Sequence, residues 1–538
     1  MVGIARCRGC GTCRKRKIAC SLEQPSCAQC IKSKRICTGY LRHPIIIQHR
    51  VPNNKSDERT TRAKQPVQHQ SQTVQLEPIE PFHVESPVGS QGDSSPNSNL
   101  LPICLPDLHV NPNPTIRHQL LQEYLHYHIP RPEIAMMPRR MWLLRLPELT
   151  YMTPALEYAT MAVCLAKLGH VFNDQVFIHE SFKLYNRGLW HLQQALWNPE
   201  LVLHDHTLTA CITLAGYELS ECPNSSKDAY INHTKGCQTL VKLRGPEAHT
   251  HGLAHQVFVQ FRVQGILYAL DQQTSSFLSE PPWREIPWRH EAKTAFDKAY
   301  DLLGVAPEFL AKAQMFDRLD LAGRLELALS MIPQCWDIER EVSALLDAME
   351  KEKSRPNPSF WPHFAQDDSG QKDNDEAMLF PVAFHFLNLG VAHSLLVCWA
   401  VQAILWNGLN ELYRLMAELK MTAATLGRVE DAIDPDSEFG RFQTVLARSG
   451  NVFDLPPLEH RTDFAAPARN ILQSVEFCLM EDKLDQGPKM LAAPLRVATE
   501  VLRRHPEFKR EVEFGDKAMA RTQLRSLKLL QYYTGIEI

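Results

Sequence analysis

The stretch from Cys10 to Cys37, "CGTCRKRKIACSLEQPSCAQCIKSKRIC", decides what this chain builds at its N-terminal end. Cys10, Cys13 and Cys20 form a C-x2-C-x6-C pattern, and Cys27, Cys30 and Cys37 repeat it. Zinc takes four tetrahedral ligands and thiolate is a preferred one, so two zinc ions need eight ligand positions. Six thiolates fill eight positions only when two of them bridge both metals. About 30 residues cannot bury enough apolar surface to fold alone, so metal binding must supply the folding energy.

The surrounding composition agrees. Residues 1–43 hold ten Lys and Arg against the single acid Glu23, a formal +9, whereas the whole 538-residue chain is −3, which leaves −12 for the rest. A basic arm on an acidic body predicts a polyanionic partner at one end. Seven of fifteen cysteines fall in the first 37 residues. The start, Met1 to Ala5, is too short for a secretory apolar region, so the clustered cysteines are read as metal ligands rather than disulfides.

From 44 to 113 the chain turns polar and rich in Gln, Ser, Asn and Pro, as in "ESPVGSQGDSSPNSN", and is expected to be a disordered linker. It carries no sustained heptads between Tyr40 and Asn99, so no coiled coil is predicted there. From 114 to 538 helical spacing dominates. Phe182, Tyr185, Leu189, Leu192 and Leu196 recur at intervals of three and four before Pro199. Leu208, Cys211, Ile212, Ala215 and Leu219 do the same. Tyr230, Cys237, Leu240, Val241 and Arg244 run into a Gly245-Pro246 stop. Further helices are predicted near 153–169, 253–271, 380–425, 465–482 and 485–503. An acidic break, "QDDSGQKDNDE", spans Gln366 to Glu376 and marks an internal boundary near 352–377. The apolar run Leu389 to Trp406 contains His393, Ser394 and Gln402, which argues for a buried helix of an all-α domain and against a membrane span.

The spacing, together with "GCGTCRKRK", Pro25 and the Gly39-Tyr40 pair, resembles the fungal-type binuclear zinc cluster of transcription factors. The resemblance implies a small two-zinc domain with ligands Cys10, Cys13, Cys20, Cys27, Cys30 and Cys37, of which Cys10 and Cys27 bridge. It implies double-stranded DNA as partner. Lys17 would read a G·C-rich triplet, while Arg14, Lys15 and Arg16 would mostly neutralise phosphate. Two positions depart from the family: Ala19 stands where Lys is usual and Ser21 where Asp is common. The lost cation should lower the salt slope of binding by about one unit. Cys7 is read as a free thiol outside the ligand set. The run "RKRK" also fits a nuclear-import signal.

The segments "YNRGLWHLQQALWNP", "LTACITLAGYEL" and "HTKGCQTLVKLRGPE" are similar to the helical regulatory domain that follows such clusters. The expectation is a nuclear, sequence-specific regulator of RNA polymerase II genes, of the kind found in fungal metabolic or biosynthetic gene clusters. Co-regulators or the transcription machinery would be partners, and a homodimer would bind paired triplets where a monomer would bind single ones. No HExxH, G-x-S-x-G, P-loop or Rossmann fingerprint is present, so no enzyme is predicted. His204/His206 and His249/His251 are read as surface or capping residues, and Cys104 through Cys478 as single core cysteines.

Overall fold

The computed structural model describes residues 12, 13, 16, 18, 20, 21, 27–33 and 35, then 114–131, 141–221, 226–351, 357–366, 378–426, 434 and 436–526. The chain divides into two units, Met1–Pro102 and Ile103–Ile538. Cys10, Cys37, Cys7, Arg14, Lys15, Lys17, Ala19 and the whole 44–113 linker lie outside the described residues.

Among the described residues of the first unit, the short helix α1 (Ala28–Lys32) follows directly from Cys27. Among the described residues its packing nucleus consists of Cys13, Cys27 and Cys30, all inaccessible to solvent, with Ile18 and Cys20 against them. So small a nucleus agrees with a domain held by metal rather than by apolar burial.

The second unit is largely helical. Among the described residues, besides a short helix at Pro281–Glu285, its helices are α2 (Pro114–His128), α3 (Pro154–Phe172), α4 (Gln175–Trp197), α5 (Asp205–Glu221), α6 (Asp228–Arg244), α7 (Gly252–Gln272), α8 (Ala295–Leu303), α9 (Ala306–Ala313), α10 (Leu321–Glu350), α11 (Leu389–Leu426), α12 (Glu438–Ser449), α13 (Ala466–Gln473), α14 (Val475–Cys478), α15 (Gln486–Arg503) and α16 (Lys509–Ser526). The three periodic segments became α4, α5 and α6. Pro154 opens α3, Asp174 caps α4 by accepting from the amides of Val176 and Phe177, and Gly245 ends α6 at φ 76°. Helices α3 and α4 pack as a hairpin, α5 lies on α3, and α6 and α7 build on α5.

Two expectations change. The segment predicted as one helix over 380–425 begins as strand β2 (Val382–Phe386), which pairs antiparallel with β1 (Phe360–Phe364), Phe360 opposite Phe386. Val382, Phe384 and Phe386 are β-formers at alternate positions, a period the helical assignment overlooked. Phe360, Phe384 and Phe386 all contact the Trp399 ring on α11. The 465–482 segment breaks into α13, α14 and a 3-10 turn at Glu481–Lys483.

Helix α11 is long and apolar enough to cross a membrane, but 89% of its most apolar window is buried within the protein. It packs against α8, α10, α13 and α15. Several of its polar groups find protein partners. His393 Nε2 lies 3.2 Å from the Tyr300 hydroxyl, Ser394 donates to the Gly390 carbonyl, and the Trp406 indole donates to Glu339 at 2.9 Å. Helices α8 and α10, before the acidic break, thus share a core with helices after it.

Candidate metal centre

The sulfurs of Cys13, Cys20 and Cys27 all lie within 4.8 Å of one another. Among the described residues this is the one such trio of potential metal ligands. Cys13 Sγ and Cys27 Sγ are 3.6 Å apart. Zinc–thiolate bonds of about 2.3 Å in a tetrahedron place sulfurs about 3.8 Å apart, so this spacing suits two ligands of one ion. Burial pushes the Cys27 thiol up from its ordinary value, an environment in which a bound cation is what favours thiolate. The donor set therefore fits zinc. Cys30 is buried in the same nucleus.

The sequence repeat is also a structural one. Cys10 and Cys27 are seventeen residues apart, and the backbone hydrogen bonds recur at that offset. The Arg16 amide donates to the Thr12 carbonyl at 3.2 Å, and Ser33 to Gln29 at 3.2 Å. The Ile18 amide donates to Cys13 at 3.1 Å, and Arg35 to Cys30 at 3.0 Å. Each half is thus a helical turn that closes with a wider loop after its second cysteine. The equivalent residues Arg16 and Ser33 meet each other, Arg16 Nη1 donating to Ser33 Oγ at 3.0 Å. Arg16 is expected mostly to neutralise phosphate; this bond ties the two halves together. A repeat offset that pairs position 16 with position 33 was the signal for it.

Ser21 has a role as well. Its Oγ accepts from the Ala28 amide at 2.8 Å, which satisfies a free donor at the start of α1. An aspartate would accept in the same way, so the substitution keeps the acceptor and drops a charge.

The histidine pairs are engaged locally. His204 Nδ1 accepts from the His206 amide and His206 Nδ1 from the Thr153 amide, which joins α5 to the start of α3. His249 Nδ1 meets the Ala254 carbonyl at 3.3 Å and His251 meets the Thr250 hydroxyl at 3.0 Å.

Residues 8–44 match the family model of the fungal Zn(2)-Cys(6) binuclear cluster domain, and residues 119–277 match that of the fungal specific transcription factor domain. The chain carries a fungal zinc-cluster domain and a fungal transcription factor domain. The zinc-cluster match agrees with the converging sulfurs, and the second match covers α3 to α7. An uncharacterised protein of Emericella nidulans is 35% identical over 135 residues, 25% of this chain and 28% of that one. An uncharacterised transcriptional regulatory protein of Schizosaccharomyces pombe is 58% identical over 36 residues, 7% of each. The chain thus spans less than a third of the length of these curated relatives. No solved structure matches it.

Proposed function

We propose that this protein is a nuclear, sequence-specific DNA-binding transcription regulator of RNA polymerase II genes. The observation that carries the proposal is the convergence of Cys13, Cys20 and Cys27 in a twofold-repeated, basic unit. The two family matches agree with it. Cys10, Cys13, Cys20, Cys27, Cys30 and Cys37 would hold two zinc ions, Cys10 and Cys27 being the two that the family resemblance implies are shared. Zinc held there would supply the folding energy of the unit and favour the thiolate form of these cysteines.

The protein's own residues do the reading. Lys17 donates to guanine O6 and N7 in the major groove and selects a G·C-rich triplet. Arg14, Lys15 and Arg16 neutralise phosphate, which sets affinity and salt dependence but not sequence preference. The run of four basic residues doubles as an import signal. Residues 114–538 serve as the regulatory body, through which co-regulators and a homodimer contact would act on paired triplets. A metabolic or biosynthetic gene cluster is the expected target set.

The test is zinc content and duplex selection on the full chain, with Lys17→Ala beside it. Two zinc ions per chain, and an enriched G·C-rich triplet that the variant loses, are expected. Weak binding without enrichment that vanishes with added salt would overturn DNA reading and make the cluster a structural or protein-binding module.

A further inference from the structure

Cysteines outside the cluster do not all lie singly, as the sequence suggested. Cys211 on α5 faces His233 and Cys237 on α6, which are four residues apart and so share one helix face. Cys211 Sγ is 3.9 Å from His233 Nδ1. Cys211 Sγ donates to the His233 carbonyl at 3.5 Å. Both cysteines are reduced and buried, with 4% and 0% of their surface exposed. The cover over them is thin. Gly236 lies between His233 and Cys237 on α6, and a Cβ there would stand 3.6 Å from Cys211 Sγ. Gly236 and His233 are themselves only half-buried. Glu218, two turns further along α5, is buried, bonded by the Tyr185 hydroxyl, and adds a carboxyl that faces His233.

The electrostatics distinguish this thiol from its counterparts. The Cys237 hydrogen bond, opposed by burial and helped by His233, draws the Cys211 thiol down to about 6. Burial and the same bond push Cys237 up, so it keeps its proton. Burial alone pushes Cys164 up and takes Cys398 to about 12, and burial outweighs the opposing Lys483 charge to push Cys478 up. Thiolate is the nucleophilic form, so Cys211 is the reactive member of this group.

We propose that Cys211 and Cys237 form a dithiol site oxidised by hydroperoxides. The Cys211 sulfur attacks one oxygen of the hydroperoxide, the O–O bond breaks, and the other oxygen leaves as water or an alcohol after taking a proton. Cys211 becomes a sulfenic acid. The Cys237 thiol then loses its proton, its sulfur attacks Cys211, and hydroxide departs as water. Two thiols lose two electrons in total, and the hydroperoxide gains them. The product is a disulfide that joins α5 to α6.

The test treats the reduced, zinc-loaded full chain with hydrogen peroxide, quenches with iodoacetamide, and maps cysteines by fragmentation mass spectrometry that separates Cys211 from Cys222. A Cys211–Cys237 disulfide is expected. Cys237→Ser should instead accumulate a dimedone-trapped sulfenic acid on Cys211. Native iodoacetamide labelling should modify Cys211 at least about tenfold faster than Cys164 or Cys398. The site is overturned if Cys211 labels no faster than those two. It is equally overturned if peroxide leaves both thiols alkylatable once the chain is denatured. Circular dichroism on Cys237→Ser separates a misfolded variant from a failed site, and the wild-type labelling comparison needs no variant.

Discussion

His128 and His249 are buried and held neutral near pH 7, each with its titration drawn down to about 4. Burial is the main cause in both. The charge of Lys489 adds to it at His128, and that of Arg244 at His249. The unfolded chain titrates these rings near 6.5. Between 6.5 and 4 the unfolded state therefore binds more protons than the folded one, and stability falls as pH falls. Each ring contributes up to about 3 kcal/mol to that loss. Asp485, which His128 contacts at 3.2 Å and Lys167 at 2.8 Å, acts in the same direction at lower pH. Burial would raise its carboxyl, but the His128 bond and the Lys489 and Lys167 charges hold it well below the usual range. Its share is present above pH 4 and fades below. Urea midpoints followed by tryptophan fluorescence should drop steadily from pH 6.5 to 4.5, and less steeply for His249→Gln. A flat profile would count against buried neutral histidines.

Close approach rather than propensity governs some elements. A Cβ on Gly487, in the first turn of α15, would overlap the Cys478 carbonyl oxygen and stand 2.8 Å from Lys483 Cβ. Backbone cannot yield as a side chain can, so Gly487→Ala should destabilise the α14–α15 junction by about 1–3 kcal/mol. Gly216 sits inside α5 with nothing within 4 Å of its added Cβ. There alanine only improves helix propensity, and Gly216→Ala should stabilise by up to about 1 kcal/mol. The same substitution should thus shift thermal unfolding in opposite directions at two helical glycines. Equal shifts would mean that local space does not decide the outcome.

At the scale of the whole molecule, two kinds of stabilisation coexist. The first unit has three inaccessible cysteines as its nucleus, whereas the second has one continuous apolar core running from Leu120 to Ala518. All nine tryptophans lie at or beyond Trp142, so fluorescence reports on the second unit alone. A zinc chelator is expected to abolish DNA binding and to leave the tryptophan-detected urea midpoint unchanged. A falling midpoint would mean that metal also stabilises the helical unit.

The sequence by itself determined the metal chemistry, because ligand type and spacing are local properties of a short chain. Six cysteines in a repeated C-x2-C-x6-C leave few other chemistries open, and helical periodicity of 3.6 is likewise legible wherever a face is buried. Thus α4, α5 and α6 stood at the predicted places. What only the tertiary structure decided depends on contacts between distant segments. The strand at 382–386 exists because Phe360 and Trp399 are there to receive its aromatic face. The apolar run of α11 is a core helix because α8, α10, α13 and α15 enclose it. Cys211 differs from Cys398 only through His233 and Cys237 on the neighbouring helix, and no spacing along the chain encodes that neighbour.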